Sequence, residues 1–170
     1  VFEKIDFSAD PLTRTPIIEQ VLTRHGYAAQ SWSAMLNDAF EKILCAPLTA
    51  AGDGLCLKRI DDRHRMTEVE FLMPVRNEDG FNPNALSRAM AQAGEPSWRR
   101  YADSIAALRF GTINGFLRGF IDLIFEFEGR FYIADYKSNN LGADASCYGQ
   151  DALAAAMEQH HYFLQYHLYT

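Results

Sequence analysis

Two aspartates and a lysine stand where a sheet interior should be apolar, in GFIDLIFEFEGRFYIADYKSN, residues 119–139. Apolar residues alternate on either side of Glu128-Gly129, the pattern of two strands joined by a two-residue hairpin loop. Counting outward from that loop pairs Phe127 with Arg130, Leu123 with Ala134 and Asp122 with Asp135. Directly opposed residues hold their Cβ atoms roughly 4.5–5.5 Å apart, and like charges at that range destabilise a sheet. A positive group is therefore expected between the carboxylates. Lys137, two residues past Asp135, falls on the same face of the strand. Paired carboxylates with no arginine between them form the oxygen-rich arrangement that Mg2+ or Mn2+ favours. The lysine adds a cation for a phosphate oxygen or an attacking water. The same residues admit a plainer arrangement, in which a bulge at Gly129 slips the register by one and turns one aspartate to solvent at its strand end. From spacing alone both stand.

The elements that must position these groups follow from periodicity and punctuation. Residues 15–44 read as two helices, PIIEQVLTRHG stopping at Gly26 and SWSAMLNDAFEKILC starting after a Ser31 cap. RMTEVEFLMPV, residues 65–75, alternates as a strand, and 77–84, with Gly80 and Pro83, must turn. Residues 85–107 read as helix broken near Gly94 and Pro96. After the hairpin comes a polar loop, 138–149, and then an uninterrupted helical run from Asp151 to the end. Helices, then strands, then helix predict a mixed α/β domain whose sheet is covered on both sides.

Composition bounds what these groups can serve. The 170 residues, 48% hydrophobic and 22% charged, suit one globular domain with a sizeable core. No apolar run approaches the ~20 residues of a membrane helix, and VFEKIDFSAD lacks the layout of a signal peptide. Cys45, Cys56 and Cys147 are odd in number and far apart, which suggests no disulfide framework and a reducing cytosol. Sixteen Lys and Arg against 22 Asp and Glu give a net charge of −6, so any phosphate contact must be local. The basic clusters, KRIDDRHR from Lys58 to Arg65 and Arg99, Arg100, Arg109 and Arg118, read as solvated surface. The five histidines have no ligand spacing and read as structural or solvated. Gly111, Gly115 and Gly119 precede a strand, and no phosphate-loop motif of an ATPase occurs.

The G-F-I-D at 119–122 followed by D-Y-K at 135–137 resembles the paired motif of the PD-(D/E)XK nuclease superfamily. With Leu141-Gly142, Tyr148, ALAAAM at 152–157, LQYHLYT at 164–170 and FEKIDF at 2–7, the chain is similar to the RecB-type nuclease domain of bacterial exonuclease V, the RecBCD helicase-nuclease. The resemblance covers most of the chain and implies a restriction-endonuclease-like core, a mixed central sheet flanked by helices, in a single domain over residues 1–170. It implies that Asp122, Asp135 and the Tyr136 carbonyl hold the metal, Mg2+ or alternatively Mn2+. Lys137 then orients the water or stabilises charge on the scissile phosphate. EVEF at 68–71 matches the family's E-x-x-F element, which makes Glu68 the metal-linked carboxylate; Glu70, alternating with Val69, reads as the solvent side of the strand. Gln165 and Tyr169, four apart on one helical face, match the family's Q-x-x-x-Y motif beside the nuclease site, where it touches DNA.

The resemblance thus implies a divalent-metal-dependent deoxyribonuclease domain acting in double-strand break repair and DNA degradation in the bacterial cytoplasm. Its implied partners are DNA, RecC-like and RecD-like subunits and a recombinase. The family's metal site also uses a histidine from a helix preceding the segment that FEKIDF resembles, outside these residues. The chain is accordingly expected to be a piece of a larger helicase-nuclease subunit with an incomplete metal shell. The alternative is a catalytically incomplete nuclease-fold module that docks partner subunits or a recombinase.

Overall fold

The structure, a computed structural model, describes residues 1–49, 52–75, 81–92 and 96–169, with the side chains of 96–100 outside the description. The chain is mixed α/β, with a three-stranded sheet in the order β1 (Arg65–Val75), β2 (Gly115–Phe127), β3 (Arg130–Ala134). It divides into two compact units. Val1–Val69 and Phe120–Tyr136 form one; Glu70–Gly119 and Lys137–Thr170 form the other, so β1 and β2 each run from one unit into the other. Among the described residues no helix is long and apolar enough to cross a membrane.

In the first unit, α1 (Pro11–Arg24) starts where the Asp10 side chain accepts the Leu12 N–H at 2.8 Å and Pro11 takes the first helical position, where its missing N–H is no loss. It stops at His25, followed by Gly26 at φ 79°. The second helix, α2 (Ala29–Cys45), begins earlier than the sequence suggests. Ser31 is not its cap: its N–H already donates to the Ala28 carbonyl at 3.0 Å, and Ala29 and Gln30, good helix formers, extend the first turn ahead of it. Ile18, Leu22, Phe40 and Leu44 from the two helices pack with Ile5, Phe7, Leu123, Phe125 and Phe127 into one core. Arg14 is wholly buried there, and its guanidinium pairs with Glu41. Lys58 and Arg14 together hold the Glu41 carboxyl down at about 2.

The hairpin has the expected register. Phe127 pairs with Arg130 and Leu123 with Ala134, with no bulge between. Glu128 and Gly129 take φ of 51° and 75°, the double left-handed geometry of a type I′ turn, whose twist matches that of the strands it joins. The Glu126 side chain accepts the Gly129 N–H at 3.0 Å. Alternation then sorts the faces: Ile121, Leu123, Phe125 and Phe127 are buried, and Tyr132 and Ala134 pack on the same core. Phe131, 81% exposed, and Ile133 lie on the other face.

In the second unit, α3 (Pro83–Gln92) and α4 (Pro96–Ala106) flank residues 93–95, with Pro96 again at a first helical position. Gly94 and residues 77–80 of the turn expected at 77–84 lie outside the described residues, and Pro83 and Asn84 already open α3. Met90, Tyr101, Ala102 and Ile105 form a second core with Phe163 and Leu164. The uninterrupted C-terminal helix is corrected: α5 (Gln150–Gln159) and α6 (Tyr162–Tyr169) are separated at His160-His161. His161 takes φ 55°, and its Nδ1 lies 3.3 Å from the Tyr101 hydroxyl. That side-chain contact and the aromatic packing of Phe163 on Tyr101 (5.1 Å between rings) redirect the chain where periodicity alone would continue it.

Because Glu128 carries a Cβ in a left-handed position that asparagine adopts more readily, Glu128→Asn should raise the unfolding free energy by roughly 0.5–1 kcal/mol. Urea denaturation checks this, and an unchanged or lower midpoint would mean that the turn geometry is not the strained part of the hairpin.

Candidate functional site

In the first unit the chemistry gathers at the open end of the hairpin. The β3 ladder ends at Ala134, one step before the aspartates. Beyond it, Asp122 Oδ2 accepts the main-chain N–H of Tyr136 at 2.8 Å. The carboxylate is thus held by a backbone dipole, while Oδ1 has no hydrogen-bond donor among the described residues. Asp122 and Asp135 are both half-buried. Tyr136 is itself fixed: its ring stacks on Phe2 at 4.6 Å, and burial, the main cause, pushes its phenol up to about 12. Its hydroxyl is buried and has no partner among the described residues.

Arg65 corrects the reading of KRIDDRHR as solvated surface. Its side chain is 7% exposed. The guanidinium lies 3.8 Å from the Phe7 ring centroid, donates to the Ile5 carbonyl at 2.6 Å, and its Nε donates to Asp62 at 2.7 Å. A planar cation with five donors can meet a carbonyl, a carboxylate and a ring at once, which offsets most of the cost of burial here, although Nη1 is buried with no hydrogen-bond partner among the described residues. The segment resembling the family's FEKIDF stretch is therefore pinned twice, by Arg65 at Ile5 and Phe7 and by Phe2 on Tyr136.

The two glutamates of β1 separate clearly. Glu70, in the second unit, gives its carboxylate to Arg118 at 2.5 Å. Glu68 is exposed and sits at φ 52° inside a strand. A side chain longer than Asn or Asp rarely occupies that region, and strain of this kind gathers at functional positions. Among the described residues no three His, Cys, Asp or Glu side chains come together as a metal-holding group. The donors at the hairpin end, two carboxylates and a main-chain carbonyl, are hard oxygens of the type Mg2+ and Mn2+ take, and the Asp122 oxygen left by Tyr136 fits that chemistry.

In the second unit the remaining candidates form a connected network. Lys137 Nζ donates to Gln165 Oε1 at 2.7 Å and lies 4.3 Å from the Tyr162 ring centroid. Gln165 Nε2 donates to the Tyr169 hydroxyl at 2.7 Å, and the Tyr169 ring meets Phe71 edge-on at 5.6 Å. A Cβ on Gly119 would lie 2.5 Å from the Phe71 ring, which only glycine permits. The letters of the sequence motifs thus become one chain of contacts, Gly119 to Phe71 to Tyr169 to Gln165 to Lys137. Gly119, Phe71, Tyr169 and Gln165 wall a cavity of about 230 Å³. Tyr162 is the member that sequence reading missed. Its only signal was its place three residues before Gln165, on the same helical face.

The Phe71 contact gives a direct test. Gly119→Ala should cost about 1–3 kcal/mol in stability, measured by urea denaturation, and Phe71→Leu in the same chain should recover part of it. Equal losses in the single and double variants would show that the ring does not set the need for glycine.

No family model matches the chain. RecB of the RecBCD enzyme from Escherichia coli K12 is 37% identical over 174 residues, covering 100% of this chain and 13% of that protein. RecB of Mycobacterium tuberculosis H37Rv is 33% identical over 135 residues, 73% of this chain and 12% of that protein. RecB of Buchnera aphidicola from Acyrthosiphon pisum is 30% identical over 139 residues, 82% of this chain and 11% of that protein. The hairpin and the Gln165-Tyr169 network lie within the full-length match to the first of these, and the chain belongs to the RecB family as a stretch spanning 13% of that relative's length.

Proposed function

We propose that the chain is the metal-dependent DNA nuclease domain of a RecB-type helicase-nuclease subunit, built on a restriction-endonuclease-like core and hydrolysing phosphodiester bonds in double-strand break repair and DNA degradation. The observation that carries this reading is the register of β2 and β3, which brings Asp122 and Asp135 to one end of the hairpin with Tyr136 N–H on the Asp122 carboxylate. The 37% identity to a RecB subunit over the whole chain supports it.

Asp122, Asp135 and the Tyr136 carbonyl would hold Mg2+, or Mn2+ in its place. When bound, such an ion polarises a phosphoryl oxygen and lowers the pKa of an attacking water. The protein's own contributions are separable. Tyr136 N–H holds one oxygen of Asp122, so that carboxylate is oriented before anything binds. Glu68, held in a strained conformation, is the further carboxylate that the strand presents. Lys137 stabilises charge developing on the scissile phosphate, with Gln165 accepting from its ammonium and fixing its direction. Tyr169, bonded to Gln165, contacts the DNA strand. In the full subunit the partners are RecC-like and RecD-like chains, DNA and a recombinase, in the bacterial cytoplasm.

With linear DNA and Mg2+, Asp122→Asn and Asp135→Asn should each abolish cleavage by the chain, or by a longer RecB-type chain carrying it, while circular dichroism and the melting transition persist. Cleavage that survives both substitutions would exclude the site. Glu68→Gly offers a sharper contrast. Removing the Cβ from a left-handed position should stabilise the fold by about 1 kcal/mol while lowering cleavage at least tenfold. A variant that is both more stable and fully active would return Glu68 to a passive role.

A further inference from the structure

Behind Lys137, wholly within the second unit, lies a smaller cavity of about 110 Å³ between the 138–149 loop and helices α5 and α6. Leu141, Leu153 and Met157 make its lining mostly apolar, and Tyr148, 39% exposed, adds an aromatic ring. Its polar wall is Lys137 and Asn139. Asn139 Oδ1 accepts from the Tyr162 hydroxyl at 3.0 Å, while the Asn139 amide nitrogen donates to no group among the described residues.

Size and lining restrict what fits. An apolar cavity of about 150 Å³ holds one benzene, and cofactor-sized ligands need roughly 300 Å³ or more. At about 110 Å³ this space therefore admits part of a single flat ring, the rest of which stays outside it. The ring must be apolar on its faces, to lie against Leu141, Leu153, Met157 and Tyr148, and must carry an acceptor on its edge for the Asn139 amide. The Lys137 ammonium on the same wall favours a ligand with an anion attached nearby. A base in a nucleic-acid strand has all three properties: a π-face, edge carbonyl groups and a phosphate one sugar away.

The geometry points to a nucleobase site: the cavity receives the edge of one base, a pyrimidine being the smaller class, from the DNA strand whose phosphate Lys137 contacts. Tyr148 stacks on the ring and the Asn139 amide donates to a pyrimidine carbonyl oxygen. The Tyr162 hydroxyl, bonded to Asn139, sets the amide's orientation, and its ring backs the Lys137 ammonium. One side chain thereby positions both the base contact and the phosphate contact. This rests on the reading of Lys137 as a phosphate ligand, and the two are tested apart.

Binding is measured by anisotropy in chelator, so that no cleavage intervenes, with labelled oligothymidylate and with an abasic oligomer of equal length. Oligothymidylate should bind about tenfold more tightly. Ala156→Phe, which fills the cavity, should erase that margin and leave abasic binding unchanged; Tyr148→Ala should shrink the margin too, and it decides the matter if the first variant fails to fold. Lys137→Gln should weaken both oligomers by the same factor. No margin between the oligomers, or equal weakening of both by Ala156→Phe and Tyr148→Ala, overturns the pocket; if Lys137→Gln still weakens both, the phosphate reading survives it. A pocket that serves a protein side chain instead gives that result. If Lys137→Gln changes neither affinity, the phosphate reading falls and the pocket proposal with it.

Discussion

Phe127 facing Arg130 across a two-residue turn leaves no freedom four steps along, where Leu123 must face Ala134, and none at the next step, where the strands release Asp122 and Asp135. Strand periodicity is two, so a slip of one residue would send Leu123, wholly buried, to the outer face and bring a carboxylate into the core. The hydrophobic core and the aspartates are therefore set by the same register. Burying Leu123, Phe125 and Phe127 on the helices excludes the slipped arrangement, and the left-handed pair at Glu128-Gly129 gives the strands the twist they need to stay paired. The Tyr136 N–H then orients the Asp122 carboxylate.

That register was legible in the sequence because its signals are local: alternation on both sides of a glycine turn, with apolar residues in phase. What escaped reading depends on contacts between residues far apart in the chain. Arg65 looks like one more charge in a basic run, and nothing near it in sequence shows that Phe7 and the Ile5 carbonyl, sixty residues earlier, will enclose it. His161 interrupts a helical pattern that is continuous by periodicity, and the Tyr101 hydroxyl that meets its ring is again sixty residues away. Ser31 failed as a cap for a smaller reason: alanine and glutamine ahead of it extend a helix without any side-chain help.

The motif letters acquire physical meaning once placed. Glycine at 119 is required by the ring of Phe71, and that ring is required by Tyr169, which leans on it. Glutamine at 165 has the acceptor for Lys137 at one end of its amide and the donor for Tyr169 at the other, a division of labour that neither glutamate nor lysine could fill. Glu68 is the opposite case, a residue whose backbone conformation disfavours it and whose side chain must account for its presence.

The outermost position of β3 in the described sheet has an effect unrelated to catalysis. An outer strand turns one row of main-chain donors and acceptors away from its ladder, and with Phe131 81% exposed and Ile133 beside it, that row is a template on which another chain can add a strand. Brevity and charge oppose such growth: β3 has five residues, and Arg130 and Asp135 bracket its apolar middle. Neutralising Asp135 removes one of those two guards, so colloidal behaviour and solubility at high concentration are tied to the same carboxylate that the hairpin presents for chemistry.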